Sequence, residues 1–184
     1  MARLFMLGLA LVAAGSGAAA ADDERSLSAT VSYAYFSTLG EPPEEGAEPP
    51  ALSPDFGGSL SLAYERMLGT DLGLRGSVTG GAFSGGQQMD QSSTSFALLG
   101  DVGVVFKLDI LKYVPYGFAG VGGVLSGGGP IDNGLDFVVV VGGGLDYLVT
   151  RQRSFGLEVR LASFGGDVTV MTAGIRGTTR WGFF

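Results

Sequence analysis

Cysteine and histidine are both absent from the 184 residues. Without Cys there is no disulfide framework, no thiol nucleophile and no Cys to carry a lipid anchor behind a leader peptide. Without His the commonest general base and the commonest metal ligand are missing. Charge is scarce as well: 16% of the residues are Asp, Glu, Lys or Arg, against about a quarter in soluble domains. The net charge of −7 supplies no basic patch for nucleic acid. Long helical apolar runs are lacking too. The uncharged stretch from Val114 to Ile131 holds seven Gly and two Pro, which oppose a helix interior, so no membrane helix is expected past the first twenty positions.

Glycine, with 33 copies, and apolar residues, at 46%, are plentiful. The length has room for one domain, and no linker splits the chain into separately patterned halves. Residues 1–21 have a basic start at Arg3, an apolar stretch from Leu4 to Ala14, small residues from Gly15 to Ala21 and then Asp22-Asp23-Glu24. That layout is a secretory signal peptide, with cleavage after Ala20 or Ala21. Its apolar stretch is about half the ~20 residues of a spanning helix. The expected organisation is therefore a leader over 1–21 and a single domain over 22–184.

Past Asp22 the apolar residues recur at every second position, the period of a strand with one apolar face. Leu27, Ala29, Val31, Tyr33 and Tyr35 alternate with Ser28, Thr30 and Ser32. Seven further segments follow, around Leu60–Tyr64, Leu72–Val78, Phe96–Phe106, Val114–Val124, Phe137–Val149, Phe155–Leu161 and Met171–Phe183. In the fifth, Val114, Tyr116, Phe118 and Val124 are assigned to the apolar face. The connections alternate between long and short: Thr38 to Asp55, Ser84 to Ser93, Ser126 to Gly134 and Gly165 to Asp167 against Met67 to Asp71, Leu108 to Tyr113 and Thr150 to Ser154. Alternating segments of this length, with long connections at one end and short turns at the other, predict an all-β, eight-stranded antiparallel up-and-down barrel that crosses a membrane.

Aromatic residues on the apolar parity gather at the segment ends. Tyr64, Phe106, Tyr116, Tyr147, Phe155 and Trp181 fall toward the short turns, and Tyr35, Phe56, Phe96 and Phe137 toward the long connections. Two girdles at the two headgroup levels follow from the preference of such rings for an interface. Strand propensity alone explains the presence of aromatics but not their placement. Phe83 and Phe164 fall on the other parity, outside this scheme.

That other parity carries Glu65, Asp101, Asp146 and Glu158 against Arg75, Arg160, Arg176 and Arg180. An eight-stranded barrel is just wide enough inside for side chains to fill it, so four acids and four bases read first as a salt-bridged plug. No catalytic residue, cofactor or metal is expected. The runs Gly127–Gly129 and Gly142–Gly144 lack the Lys-Ser/Thr of a phosphate loop, and read as loop flexibility and strand coiling.

Tyr113-Val114-Pro115-Tyr116-Gly117-Phe118-Ala119-Gly120-Val121-Gly122, Val141-Gly142-Gly143-Gly144-Leu145-Asp146-Tyr147 and the closing Trp181-Gly182-Phe183-Phe184 resemble the small outer-membrane β-barrel family, the OmpA-like and OmpW-like barrels. The resemblance spans essentially the whole of 22–184. It implies an outer-membrane location, contact with outer-membrane lipid and lipopolysaccharide, and a terminal Phe184 read by the barrel-assembly machinery. Gly182 and Arg180 occupy the alternate slots before it, where the family pattern has apolar residues, and a bulge near Gly182 would restore the parity. Barrels of this architecture that act as lipid A palmitoyltransferases or deacylases rely on a His that is missing here.

The expected function is thus a non-enzymatic barrel with a largely closed lumen, serving envelope integrity, surface interaction or anchoring. A narrow pore for small, apolar solutes is the alternative, with Val121, Leu125, Val138, Val140 and Leu148 as inward apolar lining; a soluble periplasmic lipocalin-like binder is the third class. Outside the strands charge is sorted by end. Glu41, Glu44, Glu45, Glu48, Asp55, Asp90, Asp132 and Asp167 occupy the long connections without Lys or Arg, and Arg66, Lys107, Lys112, Arg151 and Arg153 the short turns.

Overall fold

A computed structural model of the chain describes residues 24–39, 51–52, 56–84, 94–128, 134–164 and 168–182. The expected leader peptide, the acidic segment 41–50 and Phe184 lie outside these residues. The strands are β1 (Arg25–Leu39), β2 (Ala51–Leu52), β3 (Phe56–Met67), β4 (Leu72–Ser84), β5 (Thr94–Lys107), β6 (Tyr113–Gly127), β7 (Gly134–Thr150), β8 (Arg153–Phe164) and β9 (Val168–Trp181). There is no helix among the described residues. Every long strand pairs antiparallel with its sequence neighbours, and β1 also pairs with β9 from Arg25↔Trp181 to Thr38↔Val168, which closes an eight-stranded barrel. The two-residue β2 extends only the edge of β1, through Thr38↔Leu52 and Leu39↔Ala51. At 12 to 17 residues, the barrel strands exceed the roughly 9–11 that a tilted strand needs to cross a bilayer.

The short turns are built by hydrogen bonds that fix strand register. Leu68 N donates to the Leu72 carbonyl at 2.8 Å, and Ile110 and Tyr113 exchange reciprocal N–H···O bonds of 3.0 Å around Leu111-Lys112. Leu111 has φ 60°, the left-handed value that a two-residue hairpin loop demands of its first residue. In the third turn Thr150 Oγ1 accepts from the backbone N–H of Gln152 and Arg153 at 3.2 and 3.1 Å.

The barrel is inside out relative to a soluble one. Leu27, Val31, Leu60, Leu62, Leu74, Val78, Leu98, Val102, Val104, Val139, Val141, Leu157, Val159 and Ile175 all stand exposed on its wall. Glu65, Arg75, Asp101, Asp146, Glu158, Arg160, Arg176 and Arg180 are buried in its lumen. An apolar exterior around a polar interior is the transmembrane arrangement.

Strand β6 reverses the expectation stated for it. Val114, Tyr116, Phe118 and Val124 point into the lumen, whereas Tyr113, Val121 and Leu125 face outward. From Val114 to Leu125 both parities of this strand are apolar or Gly, and the polar residue that marks the inside, Ser126, stands only at its loop end. The packing decides: the outward slots of β6 hold Gly117 and Ala119, and the two rings fit opposite inward glycines on β7. A Cβ on Gly142 would collide with the Phe118 ring and the Val159 carbonyl, and one on Gly144 with Tyr116 and the Leu157 carbonyl. These glycines are holes for aromatic knobs rather than sources of flexibility. Gly57 does the same for Phe83.

Candidate functional site in the barrel lumen

The turn-side half of the lumen is one connected polar network. Glu65 on β3 takes Arg75 Nη1 at 2.9 Å, Lys107 Nζ at 2.6 Å and Arg176 Nη2 at 2.8 Å. Glu158 on β8 takes Arg75 at 3.1 Å, Arg176 at 3.2 Å and Arg160 at 3.3 Å. Two carboxylates therefore share four cations drawn from β4, β5, β8 and β9. Strand β1 joins through Ser26 Oγ, which donates to Glu65 at 3.0 Å. Strand β6 joins through Tyr116 OH, which donates to Glu158 at 3.1 Å. On β7, Asp146 lies 3.5 Å from Arg180 Nη2 and accepts from Ser154 at 3.1 Å and Thr178 at 3.4 Å. Thr178 in turn accepts from Arg176 Nε at 3.0 Å. All eight barrel strands contribute.

Two β6 rings serve this network. The Arg75 guanidinium lies 3.9 Å from the Phe118 ring centre, and Arg176 lies 4.4 Å from that of Tyr116. A guanidinium stacked on a ring face is held by the ring quadrupole and keeps its in-plane donors free for carboxylates. Higher up, Arg160 Nη1 reaches Thr79 Oγ1 at 2.7 Å and Asp101 at 3.3 Å, while Ser77 donates to Asp101 at 2.5 Å.

The loop-side half is filled differently. Ala34, Phe36, Phe83, Ala97, Leu99, Val124, Val138, Val140, Ala162 and Val170 form a buried apolar cluster, with the Phe36 and Phe83 ring centres 5.1 Å apart. Phe83, which the girdle scheme left out, is thus a lumen plug. Between the layers remains a cavity of about 10 Å³, lined by Ser59, Thr79, Thr172, Phe83 and Leu99 among others. That is the room of about one water molecule.

All eight charges expected in the lumen lie there, and Arg160 and Arg176 share Glu158. Lys107, expected in a turn, is a ninth: it closes β5, is buried and binds Glu65. Among the described residues the lumen therefore buries five cations against four carboxylates, and Glu24 stands at the turn-side mouth 3.9 Å from Arg180. Lys107 shares the parity of Asp101 on the same strand, so alternation carried to the last residue of β5 points it inward. Among the described residues no cluster of acids suits a metal ion.

On the outer wall Tyr35, Phe96, Phe106, Phe137, Tyr147, Phe155 and Trp181 are exposed, and Tyr64 is half-buried with its ring 6.3 Å from Trp181. Phe56 opens β3, but its side chain lies outside the described residues. Tyr116 is no girdle residue: at 7% exposure it is inside, because Arg176 and Glu158 need its face and hydroxyl. Its place outside is taken by Tyr113, 5.5 Å from Tyr147. Of the apolar residues expected inward, Val138 and Val140 are buried in the lumen, Leu148 is half-buried, and Val121 and Leu125 face outward.

No protein-family model and no curated protein sequence matches the chain. Solved structures do match in fold. Ail, the attachment invasion locus protein of Yersinia pestis, in complex with the heparin analogue sucrose octasulfate, superposes with a TM-score of 0.57 at 17% identity, covering 87% of this chain and 99% of that one. The outer membrane protein AlkL in lipid bilayers gives 0.60 at 14% identity, covering 92% and 95%. The N-terminal β-barrel domain of Pseudomonas aeruginosa OprF gives 0.51 at 13%, covering 88% and 100%. The fold is that of the small eight-stranded outer-membrane barrels.

Proposed function

We propose that the chain is a non-enzymatic outer-membrane barrel whose lumen is a structural plug, and that its function lies on its surfaces. The observation that carries this reading is the filled lumen. An apolar layer and a cross-linked ionic layer lie in series, with about 10 Å³ between them. A solute path requires both layers to open, and opening the ionic one leaves buried charges unpaired at several kcal/mol each. This weighs against the narrow-pore alternative.

The surface partner on the long-connection side is expected to be cationic or cation-bridged. In sequence these connections hold Glu41, Glu44, Glu45, Glu48, Asp55, Asp90, Asp132 and Asp167 and no Lys or Arg. Unlike Ail with its bound sucrose octasulfate, such connections repel a sulfated glycan, and contact with lipopolysaccharide phosphates needs divalent ions between the two. Planar-bilayer recording of the refolded protein tests the plug, and the expected trace shows no steady conductance above the bare membrane. Stable single-channel steps would reject the plug and promote the pore. Fractionation tests the location: the barrel should stay with outer membranes after carbonate and migrate differently on gels when unheated.

A further inference from the structure

The turn-side rim carries cations that the lumen network does not use. Lys112 in the β5–β6 turn, Arg151 in the β7–β8 turn and Arg153 at the start of β8 are all exposed, and none makes an ion pair with a described residue. The backbone places their turns side by side. Leu148 N donates to the Lys112 carbonyl at 2.8 Å, tying the two turns together, and Arg180 N donates to the Gln152 carbonyl at 2.8 Å. The Thr150 hydroxyl, accepting from the N–H groups of Gln152 and Arg153, curls the β7–β8 turn around an open concavity of about 320 Å³ lined by Thr150, Arg151, Gln152 and Arg153. Among the described residues the acids of this rim lie elsewhere or singly: Glu24 beside Arg180, Asp71 in the β3–β4 turn and Asp109 near Lys112.

Directly above the concavity the outer wall turns apolar and aromatic. Tyr147 and Phe155 are register partners on β7 and β8, Tyr113 stacks at an angle on Tyr147, and Trp181 lies two residues beyond Thr179, the partner of Arg153. A free anion would use only the cations. A lipid presents a phosphate at the rim and acyl chains along the wall at once, so it fits both features.

We propose that this patch binds the phosphate of an anionic glycerophospholipid in the leaflet the short turns face. The headgroup sits between Arg151 and Arg153 with Lys112 beside it, and the glycerol and chains lie against Tyr147 and Phe155. The proposal rests on the membrane reading above and adds a lipid preference to it.

Trp181, the one tryptophan of the chain, is exposed at this rim and reports on it. The full protein is reconstituted into phosphatidylcholine vesicles containing brominated phosphatidylglycerol or, in parallel, brominated phosphatidylcholine at equal mole fraction. The glycerol lipid should quench Trp181 with an apparent preference on the order of fivefold, the effect of roughly one cation at an anionic surface, and high salt should weaken it. The triple variant Lys112→Gln, Arg151→Gln, Arg153→Gln should quench equally with both lipids while keeping its heat-dependent mobility. Equal quenching in the unaltered protein overturns the proposal, as does a preference that survives in the triple variant. Shielding of Trp181 by tetraglutamate without any lipid preference would give the patch to a soluble acidic partner and also overturn it. Absence of quenching by either lipid would instead overturn the membrane reading itself.

Discussion

The two halves of the lumen do the same geometric job with opposite chemistry. On the loop side Phe36, Phe83, Leu99, Val124, Val138 and Val140 fill space with contacts that have no direction and tolerate substitution of equal volume. On the turn side Glu65 and Glu158 collect four cations at 2.6 to 3.3 Å, and each bond specifies where its partner strand must lie. Apolar filling closes the barrel, whereas the ionic layer also fixes which strand stands where. In water such buried pairs often add little stability over an apolar core. Here their value lies in the asymmetry between an intact layer and a broken one.

Breaking the ionic half should have the largest effect. Glu65→Gln leaves Arg75, Lys107 and Arg176 with one carboxylate fewer and should destabilise the barrel by about 3–5 kcal/mol, read from denaturant unfolding in lipid. Leu99→Ala on the loop side should cost about 2–4 kcal/mol through its cavity. It should not open a conductance, because the ionic layer still blocks the path; if it does, the apolar layer is the sole seal and the comparison fails. Gly142→Ala overpacks against Phe118 and the Val159 carbonyl and should cost about 1–3 kcal/mol, with rescue by Phe118→Leu in a double-mutant cycle only for the part due to the ring. At the boundary the two halves meet in two serines. Ser77→Ala removes a donor to Asp101 and should cost about 1 kcal/mol. Ser59, whose buried hydroxyl has no partner among the described residues, should be close to neutral as Ala.

The same division explains what could be read from the sequence. The wall and the loop-side fillers other than Val124 follow from strict alternation, as in β1, where Ser26, Ser28, Thr30 and Ser32 mark the inside and Leu27, Ala29 and Val31 the outside. The four acids and four arginines are equally legible, since charge in mid-strand has only one place to go. Tyr116 and Phe118 are not. The polar residue that sets the parity of their strand, Ser126, stands only at its loop end, and their direction depends on Gly142 and Gly144 one strand away, a relation that exists only once β6 and β7 are in register. Lys107 has the inward parity of Asp101 but ends its strand, and only its partner, Glu65 two strands off, is hidden from the sequence.

The seam between β1 and β9 gives the ionic layer a role in time. The chain's first and last strands meet there over fourteen register pairs, and a slip of one residue would turn every side chain of a strand to the wrong face. Until β9 arrives, Glu65 and Glu158 lack Arg176, and Asp146 lacks Arg180. Closure in the correct register therefore neutralises several charges in a single late step, whereas a misaligned seam neutralises none of them. Run backward, parting that seam must separate the same ions before any new contact forms. The seam acts as a latch, and the lifetime of the closed barrel is set by the unfolding barrier more than by the equilibrium it defends.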